Sequence, residues 1–292
     1  MIEVEDEAIV DQEKETYAHS ITPQNSLFDL RLAEIWRYRD LLMLFVRRDF
    51  VAKYKQTILG PIWFFIQPIF QTVVMAIVFG GMAGLSTDGA PPILFYLAGV
   101  TAWNYFANCL RATSNTFTAN AGLFGKVYFP RAVTPLSVVI SNLIQFGIGI
   151  LLFLVMFIIF AFRGYELHPN STLLLLPLLI VIMGFMGLGL GMLVSAMTTR
   201  YRDLQYLVEF GVQLLMYATP VILPLSAVPE KYKFIMLINP MTGVIETFKY
   251  GFLGIGTFSW GLLGYSAGFT IIVFLVGLMI FNRTEKNFMD TV

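Results

Sequence analysis

Two short sets of residues carry most of the recognisable polar chemistry in this 292-residue chain. Trp63, Gln67, Phe70 and Gln71 recur at three- and four-residue intervals, and so do Tyr206, Phe210, Gln213 and Tyr217. On a helix such spacing gathers side chains on one face, so each set joins aromatic rings to carboxamides. An amide donates and accepts hydrogen bonds without exchanging a proton near neutrality, which suits recognition by hydrogen bonding and ring stacking rather than acid–base catalysis. A glutamine turned toward hydrocarbon is costly, so both faces are expected to look into protein or water. The competing reading of each stripe is plain helix packing.

Catalysis within a bilayer needs ionisable groups that converge, and the apolar stretches hold almost none. Glu209 is the one clear case, and it reads equally well as a carboxylate snorkelling toward Arg200 and Arg202. A proton-coupled carrier would place such a group near the midplane, and a membrane transferase would converge two or more acids, bases or metal ligands. Cys109, His19 and His168 complete the Cys/His inventory, so neither an intrachain disulfide nor a Cys/His metal site is expected. The nearest approach to a phosphate-binding loop, Gly122-Leu123-Phe124-Gly125-Lys126, has the wrong spacing and runs into Val127. No cofactor is expected on this chain, and ATP-driven work would put ATP and Mg on a separate one.

The elements that must position these residues follow from composition. Hydrophobic residues make up 57% of the chain and charged residues 13%, so the apolar surface exceeds what one soluble core hides. Residues 1–26 form an acidic tail in which Glu3, Glu5, Asp6, Glu7, Asp11, Glu13 and Glu15 face Lys14 alone up to Ala18, too polar to fold unaided. No signal peptide is expected, since this segment is acidic and lacks a short apolar core with a cleavage site. In residues 27–59, Leu32, Ile35, Trp36, Leu42, Phe45, Val46 and Phe50 recur at helical spacing among Arg37, Arg39, Arg47, Arg48 and Lys53. This predicts a basic amphipathic helix, or two, in the cytoplasmic interface, serving as a membrane anchor or as a surface for a partner protein.

Residues 60–292 read as a domain of six transmembrane helices. The stretches are Ile62 to Gly84, Ile93 to Leu110, Val133 to Phe162, Thr172 to Met197, Leu204 to Leu223 and Trp260 to Phe281. With both termini cytoplasmic, 15 of the 19 Lys and Arg fall inside, as short cytoplasmic loops require. The outer connection Pro224 to Ser259 has two apolar runs too short to cross, which suggests re-entrant or interfacial half-helices. In the fourth stretch Gly184, Gly187, Gly191 and Ser195 form a small-residue face suited to close helix packing.

Four segments resemble the membrane subunits of type-2 ABC exporters, specifically the permeases for lipid-linked polysaccharides such as O antigen, capsule or teichoic acid. They are RRDFVAKYKQTILGPIWFFIQP (Arg47 to Pro68), LFGKVYFPRAVTPLS (Leu123 to Ser137), TTRYRDLQYLVEFGVQLLMYATPVILP (Thr198 to Pro224) and INPMTGVIETFKYG (Ile238 to Gly251). The resemblance implies an all-α integral membrane fold in the cytoplasmic membrane, an interface helix before the first span and re-entrant outer helices before the last. It implies a homodimer around a pore, with two ATP-binding cassette ATPase subunits as partners, a lipid-linked glycan as substrate and no role for nucleic acid. The first and fifth spans would line the pore, where aromatic and amide faces suit a sliding sugar chain. Coupling to the ATPase would fall on a short helix within Thr113 to Arg131, at Asn115, Thr116, Phe117, Thr118 and Asn120, with Arg202 and Asp203 nearby and Arg47, Arg48 and Lys53 on the interface helix. An exporter of drugs or lipids shares this architecture.

Overall fold

The computed structural model describes residues 32–55, 57–124, 126, 129–198, 201 and 203–288. The acidic tail, Arg202 and the side chain of Lys53 lie outside the described residues. Secondary structure among the described residues is helical throughout. The basic amphipathic stretch forms α1 (Leu32–Arg37) and α2 (Arg39–Tyr54), separated at Tyr38. Its apolar side is buried at Ile35, Phe45 and Val46, while Arg47 and Arg48 stay exposed.

Pro61 opens the next element, whose first turn needs no amide donor from it. α3 (Trp63–Met75) carries Pro68 in its interior and widens into a π-helical segment, Ala76–Met82. α4 (Pro92–Ser114) begins on a proline and leads into the short α5 (Thr116–Phe124). α6 (Val133–Phe162) follows, then α7 (Leu176–Thr198) and α8 (Leu204–Tyr217). α2 is pinned to the bundle by Phe50 stacked on Phe64 of α3 at 5.4 Å, and by Ser141 of α6 donating to the Val46 carbonyl at 3.4 Å.

Five stretches among the described residues are long and apolar enough to cross a membrane: Gly60–Met82, Pro92–Ser114, Val133–Phe162, Ser171–Thr198 and Trp260–Thr284. α4 is the central one, with 83% of its most apolar run buried against 22% in the stretches containing α3 and α6. Those two therefore leave most of their apolar surface to lipid or to another chain. The remaining expected stretch, Leu204 to Leu223, is helical only through Tyr217, and its 14 residues rise about 21 Å, short of the ~30 Å hydrocarbon core.

α7 packs against α4 at backbone distance because the small-residue face turns inward. A Cβ on Gly187 would stand 2.7 Å from Cys109 Cβ and 2.8 Å from the Phe106 carbonyl, so only glycine fits this crossing. A Cβ on Gly189, on another side of α7, would stand 2.7 Å from Phe274 Cα. Phe274 belongs to α11 (Trp260–Phe288), so α7 is clasped between α4 and α11.

The outer connection folds into α9 (Glu230–Ile238) and α10 (Met241–Leu253), broken at Asn239 and Pro240. Asn239 bridges the break: its amide donates to the Leu215 and Ala218 carbonyls at 3.4 and 3.3 Å, and its carbonyl accepts from Met241 N at 3.0 Å. α10 is buried along nearly its whole length and stops at Gly254, whose φ of +70° permits the left-handed turn.

Candidate functional site

Four helices turn carboxamides toward a common cleft. α3 contributes Gln67 and Gln71; α4 contributes Asn104 and Asn108; α6 contributes Asn142 and Gln145; and α8 contributes Gln213. Each set falls at three- or four-residue spacing, the period that keeps side chains on one helix face. A cavity of about 240 Å³ lies among them, walled also by Phe64, Thr101, Tyr105, Phe146 and Met216. It continues past Trp63, Gln67, Asn108 and Asn115 into an open recess of about 570 Å³. A further opening of about 510 Å³ is bounded by Tyr206, Glu209, Phe210 and Gln213. Arg111, one turn beyond Asn108 on α4, borders all three.

The wall is partly organised by its own hydrogen bonds. Asn104 Nδ2 donates to Gln71 Oε1 at 3.2 Å, and Gln71 Nε2 lies 3.8 Å from Met216 Sδ, linking α4, α3 and α8. Thr101 Oγ1 is buried in the same wall without a hydrogen-bond partner among the described residues. Such a surface offers neutral donors and acceptors beside aromatic faces, the chemistry of hydroxyl-rich ligands rather than of proton transfer.

Of the residues picked out by spacing, Trp63, Gln67, Gln71, Tyr206, Phe210 and Gln213 border these openings. Phe70 and Tyr217 do not, and stand on the outer surface of the protomer, 67% and 51% exposed. Asn104, Asn108, Asn142, Gln145 and Arg111 were not expected in the site. The signal was present, since Asn104, Asn108 and Arg111 stand at i, i+4 and i+7, but helix spacing does not tell which helices face one another.

The coupling segment divides in two. Thr116 and Phe117 are buried, with Phe117 stacked on Phe281 at 4.6 Å and its amide donating to Ser195 Oγ at 3.4 Å. Thr118 is exposed and Asn115 and Asn120 are half-buried; Thr118 Oγ1 accepts from Gln205 at 3.2 Å, which ties α5 to the start of α8. Asp203 is exposed just before α8, and no metal-holding group of His, Cys, Asp and Glu occurs among the described residues.

A second charged feature was missed by the sequence reading, which left Lys249 in an outer loop. Glu246 and Lys249 are both buried on α10. Lys249 lies over the Phe95 ring, 3.2 Å from its centroid, and donates to the Pro220 carbonyl. Glu246 accepts from the backbone amides of Thr257 at 3.3 Å and Leu225 at 3.5 Å. Burial raises the Glu246 carboxyl above its usual range, opposed by the nearby ammonium, and burial lowers Lys249. The i, i+3 spacing of the two charges was the available clue.

These features define a polytopic helical membrane protein with a polar cleft between its spanning helices. Residues 40–253 match the ABC-2 type transporter family, and the chain belongs to it. It is 28% identical over 253 residues to the O-antigen export system permease protein RfbA of Klebsiella pneumoniae, covering 86% of this chain and 94% of that one. The Myxococcus xanthus protein of the same name is 29% identical over 218 residues, 74% of this chain and 81% of its own. The polysialic acid transport protein KpsM of Escherichia coli is 23% identical over 245 residues, 82% and 91% of the two chains.

Proposed function

We propose that this chain is the membrane-spanning permease subunit of an ATP-driven exporter that moves a lipid-linked polysaccharide, of the O-antigen, capsule or teichoic acid type, across the cytoplasmic membrane. The observation that carries the reading is similarity along most of the length of relatives named as O-antigen and polysialic acid export proteins. The carboxamide cleft supports it, because a polyol slides along many weak neutral partners without a deep site to trap it. An exporter of drugs or lipids would be expected to keep this path apolar.

In this reading two copies face each other across a pore, and two ATPase chains dock below. The exposure of Trp63, Gln67, Tyr206, Phe210 and Gln213 in the single protomer suits a surface that meets a second copy or the conduit between them. Phe70 and Tyr217 extend the same two faces. α8 with residues 218–223 would complete six spans, both termini would be cytoplasmic, and α9 and α10 would be re-entrant at the outer face. α5, with Asn115, Thr118 and Asn120 as its polar surface and Phe117 as its anchor, would pass ATPase closure into α2 and α8, and Arg202, Asp203, Arg47, Arg48 and Lys53 would share in that coupling. ATP and Mg would be bound by the partner.

Deletion of the chain in its source strain, followed by immunoblotting of surface glycan and extraction of intracellular lipid-linked glycan, tests this. Loss from the surface with accumulation inside is expected. Unchanged surface glycan would remove the reading. A pull-down of the solubilised protein should bring down an ATP-binding cassette subunit.

A further inference from the structure

We infer that the Arg111 guanidinium is the anion-binding end of the carboxamide cleft and takes the phosphate that joins a glycan to its lipid. This rests on the polysaccharide-permease reading above. Arg111 is common to all three openings, so whatever occupies the cleft passes it. It sits half-buried in the last turn of α4, just past the apolar stretch Ile93 to Leu110, where a guanidinium at the expected cytoplasmic end of the span can still meet a ligand in the cleft. Among the described residues its guanidinium makes no hydrogen bond or ion pair; the contacts recorded for Arg111 are to its backbone carbonyl, from Ser114 and Asn115.

Glu209 borders the third opening together with Arg111 and attracts its charge, but no ion pair or hydrogen bond joins the two, so the fork of donors remains open. From Asn104 through Asn108 to Arg111 the helix rises about 10 Å, passing from neutral amides to a planar cation. That order matches a ligand that is uncharged along its sugars and anionic at one end. A guanidinium meets phosphate oxygens with two parallel hydrogen bonds, which no amide of the cleft can supply.

The test uses the full chain in nanodiscs of phosphatidylcholine, titrated with farnesyl diphosphate as the probe. Wild type should bind, Arg111→Gln should weaken binding at least tenfold, and Arg111→Lys should fall between, because it keeps the charge and loses the fork. Glu209→Gln should tighten binding severalfold by removing the neighbouring negative charge, a change that a merely structural arginine would not produce. Wild-type affinity in Arg111→Gln, or no binding to wild type, would overturn the assignment. If Arg111→Gln fails to fold, unchanged affinity in Glu209→Gln overturns it alone. Phosphatidylglycerol doped into the discs separates the two sources of phosphate: if it displaces the probe as effectively as unlabelled diphosphate does, the site reads a lipid headgroup and the inference fails. Wild-type affinity in Arg111→Gln, in a chain whose deletion abolishes surface glycan, removes this subsite and leaves the permease reading standing.

Discussion

Arg48 on α2 points both terminal guanidinium nitrogens at Asn120 Oδ1 on α5, at 3.5 and 3.4 Å, across 72 positions of the chain. The same guanidinium lies 4.6 Å from the centroid of the Phe45 ring and 2.8 Å from Asp49 Oδ1, while Asn120 Nδ2 donates to the Thr116 carbonyl at 2.9 Å. The amphipathic segment and the short helix are thereby joined through a pair of polar side chains held at both ends.

This relationship predicts non-additive behaviour. Arg48→Ala and Asn120→Ala should each weaken ATPase association in a pull-down without lowering the amount of inserted permease, because the spans carry insertion. The double variant should lose less than the sum, with a coupling of about 0.5 kcal/mol as befits a solvent-exposed contact. Additive losses would mean that the two residues act separately.

The cleft residues should be separable from packing aromatics. Tyr206 and Phe210 are exposed in the protomer, so their alanine variants leave no closed cavity and should fold normally while exporting less glycan. Phe153 is wholly enclosed, and Phe153→Ala should instead cost about 3 to 5 kcal/mol and appear as lost protein. Gln67→Leu and Gln213→Leu should give stable protein with reduced export. Normal export in both leucine variants would move the conducting path elsewhere.

The α4–α7 crossing should be intolerant of volume. In Gly187→Val the new side chain meets the Phe106 carbonyl and Cys109 at under 3 Å, contacts that backbone cannot relieve cheaply. We expect a loss of at least 1 to 3 kcal/mol, about the cost of overpacking, seen as failed detergent extraction of folded protein. Gly147 has open space around it, so Gly147→Ala serves as the tolerant control. Equal yields from the two variants would contradict the close packing.

The buried charges of α10 make a fourth case. Lys249→Met keeps the bulk but strips the Pro220 carbonyl of its donor, a loss of about 1 to 3 kcal/mol, and leaves the Glu246 charge buried without its cation. Glu246→Gln keeps only one of the two oxygens that accept from Leu225 and Thr257 and sets an NH2 against the other amide, but it leaves no buried charge and should be milder. Thermal unfolding of the purified protein distinguishes them; a wild-type melting temperature in Lys249→Met would deny the pair a structural role.

The residue pattern by itself was enough for the membrane class, the helical entry before the first span, the short outer helices and the glycine face, because each depends on local composition and on the helical period. Leu204 to Leu223 shows where that reasoning stops. Its composition reads as one span, yet helix ends at Tyr217, where Asn239 binds the Leu215 and Ala218 carbonyls from 24 and 21 positions away.

Lys249 shows the same limit, since an outer loop is the natural home of a lysine until an aromatic ring and a carbonyl from other elements enclose it. The cleft is the fullest instance. Gln67, Gln71 and Gln213 were legible as amide faces of single helices, because spacing alone places them. That Asn104, Asn108, Arg111, Asn142 and Gln145 face the same space was decided only by how α3, α4, α6 and α8 pack, for helix periodicity sets which residues share a face, and tertiary contact sets which faces meet.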